Sequence, residues 1–118
     1  MRPGQKLHRP AEFQAAYRQG RKFGNALLTA SVRGNEGKQA RLGMSIAART
    51  VGNAVQRNRL RRLIREGFRL AQHELPPVDI VVGARPAARE APPAEAREAI
   101  GKLWKQITAA WARSSSAS

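Results

Sequence analysis

The segment GNAVQRNRLRRLIREGFRL, residues 52–70, decides the fold because it predicts one helix with two unlike faces. At about 100° per residue, five arginines and Asn58 fall within an arc of about 140°, with Arg59 at its edge. The five arginines of this arc are Arg57, Arg61, Arg62, Arg65 and Arg69. The opposite, apolar arc contains Leu60, Leu63, Ile64, Gly67, Leu70 and Ala71. Since burial of the apolar face holds most protein helices in place, the arginines are expected to point into solvent. Asn53 and Gln56 have the spacing of a capping pair at the start of this helix.

The arginine face favours a polyanionic partner over an ordinary solvated surface. Solvated helix surfaces usually mix charges of both signs and use Lys/Glu pairs one turn apart. Here only Glu66 partly offsets the like charges. Arginine binds phosphate through a planar, bidentate fork and also stacks on bases. The helix therefore predicts nucleic-acid binding.

The overall composition agrees with this prediction. The 118-residue chain has a formal net charge of +14 and a pI near 11.9. Residues 1–73 contain 16 Lys/Arg and 3 Asp/Glu, whereas residues 74–118 contain 6 and 5, so the basic footprint lies in the first part. Such a high pI is typical of nucleic-acid-binding domains.

Composition also limits the classes of protein to which this chain can belong. With 42% apolar residues we expect one domain over 1–118, with a flexible basic leader at 1–9 and a frayed tail at 112–118. The absence of cysteine excludes disulfides and thiolate metal sites. No stretch approaches the ~20 apolar residues of a membrane span, and no signal core is present, so we expect a cytoplasmic protein with no membrane partner.

The first third of the chain predicts a short helix and two strands. Pro10 and Gly20 bound a helix that places Phe13 and Tyr17 on one face. These two aromatics are either core anchors or the lining of a groove where bases stack. Residues 22–32 and 41–47 alternate as strands do, and we expect a hairpin over 27–47. The second face of this hairpin has small or polar residues that form a candidate groove floor: Thr29, Ser31, Gly43 and Ser45.

The rest of the chain predicts a crossover and a packing helix. Residues 78–83 are typical of a buried strand. A strand, the arginine helix and a second strand make a βαβ unit, which implies parallel pairing. Residues 84–93 are expected to be a loop, and 94–111 a helix in which Trp104 and Trp111 pack into the core.

No catalytic centre is predicted in this chain. The eight acidic residues do not form the paired carboxylates of a two-metal nuclease. His8 lies in the leader and His73 at a helix end, and no phosphate-binding loop or metal-ligand spacing is present. Another molecule would have to supply any chemistry.

The block Arg57-Asn58-Arg59, followed by LRRLIRE at 60–66, resembles the RNR signature of the protein subunit of bacterial ribonuclease P. The resemblance extends upstream to Ser45-Ile46 and 49–55, and downstream to 68–76 and 79–82. It also includes Glu12-Phe13, Tyr17 and Gly20, and it spans roughly residues 6–112.

This resemblance implies an α/β (α+β) two-layer sandwich in the order αβββαβα. A small mixed sheet packs against helices, with an uncommon left-handed βαβ crossover where the usual rule gives the right hand. It also implies a partner RNA that is itself the catalyst and removes the 5′ leader from precursor tRNA. The RNA holds the Mg²⁺, the protein binds no cofactor of its own, and no obligatory protein partner is expected.

By the same resemblance, two sets of residues carry the function. The catalytic RNA would be bound by Arg57, Asn58, Arg59, Arg61, Arg62 and Arg65, and Arg69 lies on the same face. The precursor leader would occupy a cleft lined by Phe13 and Tyr17. Many relatives have a basic pair where this chain has Ala48-Arg49, and some have an aromatic residue where it has Ser31. We therefore expect fewer contacts between this protein and the leader than in those relatives.

Two other functions fit the basic helix alone. A structural RNA-binding protein, such as a ribosomal component, could use the same arginine face. A DNA-binding module could place the helix in a major groove, but no dimerisation element or helix-turn-helix spacing supports this. The aromatic pair Phe13 and Tyr17 separates these functions, because it serves a single-strand site and has no use in the other two.

Overall fold

The structure is a computed structural model that describes residues 10–35, 37 and 39–116, so the predicted leader 1–9 lies outside the described residues. Within these residues, four strands and four helices follow one another. They are α1 (Pro10–Gln19), β1 (Arg21–Gly24), β2 (Leu28–Gly34), β3 (Arg41–Ser45), α2 (Ala48–Val51), α3 (Ala54–Ala71), β4 (Val78–Ala84) and α4 (Pro93–Ser116), with a 3₁₀ turn at Pro86–Arg89 before α4. Apart from the short α2, this is the predicted order αβββαβα.

The strands form one mixed sheet in the order β1-β2-β4-β3. β4 pairs antiparallel with β2 and parallel with β3, so the parallel pairing predicted for the crossover is confirmed. The left hand of the crossover stays a prediction from the resemblance.

The predicted hairpin over 27–47 is wrong. β4 lies between β2 and β3, and the hairpin is instead formed by β1 and β2. Asn25 shapes its turn, since its side chain accepts hydrogen bonds of 3.0 Å from the backbone N–H groups of Leu27 and Leu28. Five successive residues of β4, Val78–Val82, are buried. A strand this apolar is best placed at the centre of a sheet, where both of its faces are covered.

The two faces of the sheet are covered unequally. On one face, alternate residues of the strands pack against α3 and α4 in the main core: Leu28, Ala30, Val32, Leu42, Ile80 and Val82. On the other face, Val81 packs with Ala16 and the half-buried Phe13 of α1 in a small second cluster. Thr29 on this face is half-buried and Ser45 is exposed, so part of the second face is open to solvent.

α3 begins as predicted but buries a different set of residues. The capping pair is confirmed, because the backbone N–H of Gln56 donates to Asn53 Oδ1 at 3.0 Å and that of Asn53 donates to Gln56 Oε1 at 3.1 Å. Leu70, predicted on the buried side, is 69% exposed, and Phe68 is fully buried. The Phe68 ring packs edge-on against Trp104 with 6.2 Å between centroids. Burying the larger ring removes more apolar area from water, so the helix is turned toward Phe68.

α4 is longer than predicted. It ends at Ser116 rather than 111, so residues 112–116 of the predicted tail are helical, and 117–118 lie outside the described residues. No proline or glycine interrupts this last turn, so nothing in the sequence ends the helix at Trp111. The packing roles of the tryptophans are confirmed, because Trp104 is buried and Trp111 packs against Phe23. In the described part of the chain, no helix combines the length and the apolar character needed to cross a membrane.

Candidate nucleic-acid interface

The exposed side of α3 is a surface of uncompensated positive charge, here called the arginine face. Its exposed members are Asn58, Arg59, Arg62, Arg65 and Arg69, and its half-buried members are Arg57 and Arg61. Among residues 10–35, 37 and 39–116, the ion pairs are Arg41 with Asp79 and Lys102 with Glu98, and neither involves α3. The arginine face is therefore free to neutralise the charge of a polyanion.

Two members of the arginine face are set apart by their local contacts. Arg59 donates from Nη2 to the carbonyl oxygen of Ala91 at 2.8 Å, which ties α3 to the segment before α4. Arg57 is held at the first turn, where its Nε is buried without a hydrogen-bond partner in the described chain. Arg59 thus has a structural task as well as a charge, whereas the Nε–H of Arg57 is unsatisfied.

A second surface lies beside α1 on the other face of the sheet. Lys22 donates from Nζ to the carbonyl oxygen of Tyr17 and, at 2.8 Å, to Ser31 Oγ. The same ammonium lies 5.0 Å from the centroid of the Tyr17 ring. Together with Phe13, these residues define the α1 cleft. It combines an aromatic ring, a positive charge and a hydroxyl, a set that suits stacking and phosphate binding.

The two aromatics of the α1 cleft have different environments. Phe13 is half-buried and packs against the cluster formed by Ala16 and Val81, so it serves partly as a core anchor. Tyr17 is 58% exposed and presents its ring to solvent. Of the two interpretations left open by the sequence, the groove lining fits Tyr17 better than Phe13.

The cleft floor is built from small residues, as predicted. Thr29 lies directly across from Gly83, and Gly83 from Ser45. A Cβ at Gly83 would lie 2.7 Å from Thr29 Oγ1, so the Thr29 hydroxyl occupies the space that a side chain at this position would need. Ser31 and Gly43 are buried, whereas Thr29 is half-buried and Ser45 exposed. The accessible floor is therefore narrower than the predicted one.

Arg49 stands apart from the cluster around Tyr17. It is exposed on α2, which follows β3 beyond Ser45. α2 packs against α3 and the 3₁₀ turn at Pro86–Arg89, so the structure does not bring Arg49 together with Tyr17 and Lys22.

Lys22 is the site residue that sequence reasoning missed. It pairs with Ser31 across the β1–β2 hairpin, so its side chain points to the same face as Ser31. Reading residues 22–32 as one strand, rather than two paired strands, hid this relationship. The Gly-Asn interruption at 24–25 was the signal that could have revealed it.

Among the described residues, the most buried carboxylate, Asp79, serves the sheet. Asp79 accepts hydrogen bonds of 2.8 Å from both Nε and Nη2 of Arg41, and one of 2.9 Å from Asn35. Within the described residues, no three His, Cys, Asp or Glu side chains converge as metal ligands. The arginine face and the α1 cleft suit the binding of phosphates and the stacking of bases.

Comparison with known proteins places these surfaces in a family. The sequence model of the Ribonuclease P family matches residues 1–108. The ribonuclease P protein component of Photorhabdus laumondii is 41% identical over 101 residues, which cover 86% of this chain and 85% of that protein. The corresponding protein of Cronobacter sakazakii is 40% identical over the same length and the same shares.

Solved structures show the same fold. The RNase P protein of Staphylococcus aureus superposes with a TM-score of 0.81 and 29% identity, covering 86% of this chain and 93% of that one. The RNase P protein of Thermotoga maritima, in complex with 1-(4-fluorophenyl)-2-thiourea, gives a TM-score of 0.78 and 30% identity, covering 86% and 98%. The predicted fold class, a small mixed sheet packed with helices, is thereby confirmed.

Proposed function

The chain belongs to the ribonuclease P protein family, whose members work with an RNA subunit in tRNA 5′ processing, and we propose that its two surfaces divide the RNA contacts between them. It is the protein subunit of an endoribonuclease holoenzyme. This family membership takes precedence over the two other functions that fit the basic helix, a structural RNA-binding protein such as a ribosomal component and a DNA-binding module. The proposal concerns which surface binds which RNA.

The arginine face binds the catalytic RNA in this proposal. Arginines spaced three and four residues apart form a continuous strip along α3, and none is paired with an acid in the described chain. Each guanidinium that replaces a counterion on a phosphate adds to affinity and to its salt dependence. The residues assigned this role are Arg57, Asn58, Arg59, Arg61, Arg62, Arg65 and Arg69.

The α1 cleft binds the single-stranded 5′ leader of precursor tRNA. The observation that carries this assignment is Lys22, which holds its charge against an exposed Tyr17 ring and a buried Ser31 hydroxyl. A base can stack on the free face of Tyr17 while Lys22 neutralises a phosphate. Phe13, which packs on Ala16 and Val81, and Arg49, which is exposed on α2, are assigned to the same site. Because Ser31 offers no ring, stacking depends mainly on Tyr17.

We further propose that Mg²⁺ for the cleavage is held by the RNA and that the holoenzyme acts in the cytoplasm without an obligatory protein partner. The donor set of this chain supports the first point, because its most buried carboxylate, Asp79, is already paired with Arg41. The protein would act by holding the leader and by offsetting phosphate repulsion between the two RNAs, which lowers the Mg²⁺ concentration they need.

Site-directed crosslinking in the assembled holoenzyme tests this division. One complex carries photoreactive 4-thiouridine in the precursor leader, and a second carries it in the catalytic RNA. We expect leader crosslinks within residues 10–32 and catalytic-RNA crosslinks within 54–71, both mapped by mass spectrometry of the RNA-linked peptides. Leader crosslinks confined to 54–71 would overturn the assignment of both surfaces.

A further inference from the structure

An apolar groove runs between α3 and α4 beside the arginine face, and no role has yet been given to it. Its volume is about 170 Å³, and its apolar lining comes from Leu63, Gly67, Leu70, Ile100, Gly101 and Trp104. A cavity of about 150 Å³ is enough for one benzene ring. The α3–α4 groove therefore has room for a single planar ring system.

A glycine on each helix shapes the groove. A Cβ at Gly101 would meet no atom within 4 Å, so the absence of a side chain there keeps the groove open. A Cβ at Gly67 would lie 2.6 Å from Ile100 Cγ2 and 3.6 Å from Trp104 Nε1, so glycine at this position lets α4 pack closely against α3. Glycine is less favourable than alanine inside a helix, so both positions lower helix propensity at the groove.

The groove floor contains an unsatisfied hydrogen-bond donor. Trp104 is 6% exposed, and its Nε1 is buried without a partner in the described chain. Buried indole N–H groups normally find an acceptor, because leaving one unpaired is costly. This N–H lies beside Gly67 at the wall of the groove, since a Cβ at Gly67 would be 3.6 Å from Nε1. A ligand atom that displaces the neighbouring Ile100 methyl group can supply the missing acceptor.

The rim of the groove carries both charges and an exposed apolar side chain. Glu66 and Arg97 line it from α3 and α4, and Leu70 forms an exposed lip. Arg59 lies one helical turn before Leu63, and Arg62 one turn before Glu66. The groove thus opens directly beside side chains of the arginine face.

We propose that the α3–α4 groove binds one unpaired nucleobase of the catalytic RNA. A base carbonyl accepts from Trp104 Nε1, base N–H groups donate to Glu66, and the adjoining phosphate lies between Arg62 and Arg97. Guanine fits best, since its carbonyl lies next to two N–H donors on one edge. This inference rests on the proposed binding of the catalytic RNA by α3 and deepens it by assigning a base-specific contact.

A nucleobase is favoured over a peptide side chain by the position of the groove. It is continuous with a surface that faces RNA, and it is one ring in size. An apolar side chain would fill the groove but leave Trp104 Nε1 without a hydrogen-bond partner.

The test uses two substitutions at one position. Gly101→Leu fills the groove. Gly101→Ala raises the helix propensity in the same way but leaves the groove mostly open. Both raise helix propensity, so both variants fold. We expect Gly101→Leu to weaken binding of the full chain to the catalytic RNA about tenfold, the scale of one lost base contact, and Gly101→Ala to leave it unchanged.

Arg57→Ala in the same assay separates this inference from the proposed function. If Arg57→Ala weakens binding and Gly101→Leu does not, the groove binds no base and the arginine face keeps its role. If neither substitution weakens binding, the proposed function fails as well.

A second measurement reports on the groove without the catalytic RNA. In ¹⁵N-labelled protein, the indole N–H signal of Trp104 should move saturably when guanosine 5′-monophosphate is added, while that of Trp111 stays in place. Gly101→Leu should abolish this shift. An unmoved Trp104 signal in the unsubstituted protein, or an equal shift in Gly101→Leu, would overturn the proposal, and groove occupation by a protein partner would give the first of these results.

Discussion

The Lys22 ammonium lies 5.0 Å from the centroid of the Tyr17 ring. Its hydrogen bond to Ser31 Oγ, 2.8 Å long, fixes it in this position. One face of an exposed aromatic ring is thus held against a positive charge, and the ring is pre-positioned without help from the RNA. This contact joins α1, β1 and β2 into one site, the α1 cleft.

Replacing Lys22 should lower the affinity for precursor tRNA but not the affinity for mature tRNA. We expect Lys22→Met to weaken binding of the holoenzyme to the precursor because one leader phosphate loses its counter-charge. The slope of log affinity against log salt should fall by about 0.7, the value for one single-strand contact. Affinity for mature tRNA, which has no leader, should be unchanged. Lys105→Met, on the exposed side of α4, is the matched control and should affect neither ligand. Equal losses for both ligands would remove Lys22 from the leader site.

Replacing Tyr17 tests stacking without disturbing the core, since its side chain is 58% exposed. Tyr17→Ala should cost about 1–3 kcal/mol of precursor binding, the usual contribution of one stacked base. Tyr17→Phe keeps the ring and should bind nearly as well as the unsubstituted protein. Equal affinity of Tyr17→Ala and Tyr17→Phe would exclude stacking.

Replacing Phe13 should affect both binding and stability. Phe13→Ala should weaken precursor binding while leaving the affinity for mature tRNA nearly unaffected. It should also lower the melting temperature, because Phe13 packs on Ala16.

Replacing Arg57 should act on the other RNA. We expect Arg57→Ala to weaken assembly with the catalytic RNA and to reduce the salt slope by roughly 0.7–0.9, which corresponds to one phosphate contact. Filter-binding or fluorescence titrations at several salt concentrations measure both quantities. Precursor recognition by the assembled holoenzyme, tested at saturating protein, should be retained. An unchanged salt slope would show that Arg57 touches no phosphate.

Two apolar substitutions in α3 test which side of the helix is buried. Phe68→Ala should lower the free energy of unfolding by about 3–5 kcal/mol because it empties a fully enclosed site next to Trp104. Leu70→Ala, only two residues away, should change it by no more than about 0.5 kcal/mol. Urea denaturation followed by circular dichroism measures both. A larger loss of stability from Leu70→Ala than from Phe68→Ala would mean that Leu70 lies in the core, which would contradict the orientation of α3.

The features that depend on neighbouring residues could be predicted from the sequence. The cap of α3 needs only Asn53 and Gln56, and its arginine face follows from the helical period. The same period could not choose between Phe68 and Leu70, because the choice depends on which of the two side chains packs against Trp104 of α4. Sequence spacing carries no information about that contact.

Except for the parallel pairing of β3 and β4 in the crossover, features that depend on distant pairing could not be predicted. The insertion of β4 between β2 and β3 joins residues that are between 38 (Arg41 and Asp79) and 56 (Leu28 and Ala84) positions apart, and adjacency in sequence favoured a hairpin there. Lys22 was missed for a related reason, since its role depends on the register with Ser31. The unsatisfied Trp104 N–H is likewise visible only once α3 and α4 are packed together.

The most direct test of the whole account is cleavage of a 5′-extended precursor tRNA at low Mg²⁺. Three reactions are compared, with the bacterial catalytic RNA alone, with this protein alone, and with both. The account predicts cleavage at the mature 5′ end only when both are present. Cleavage by the protein alone, or no gain on adding the protein to the RNA, would contradict it.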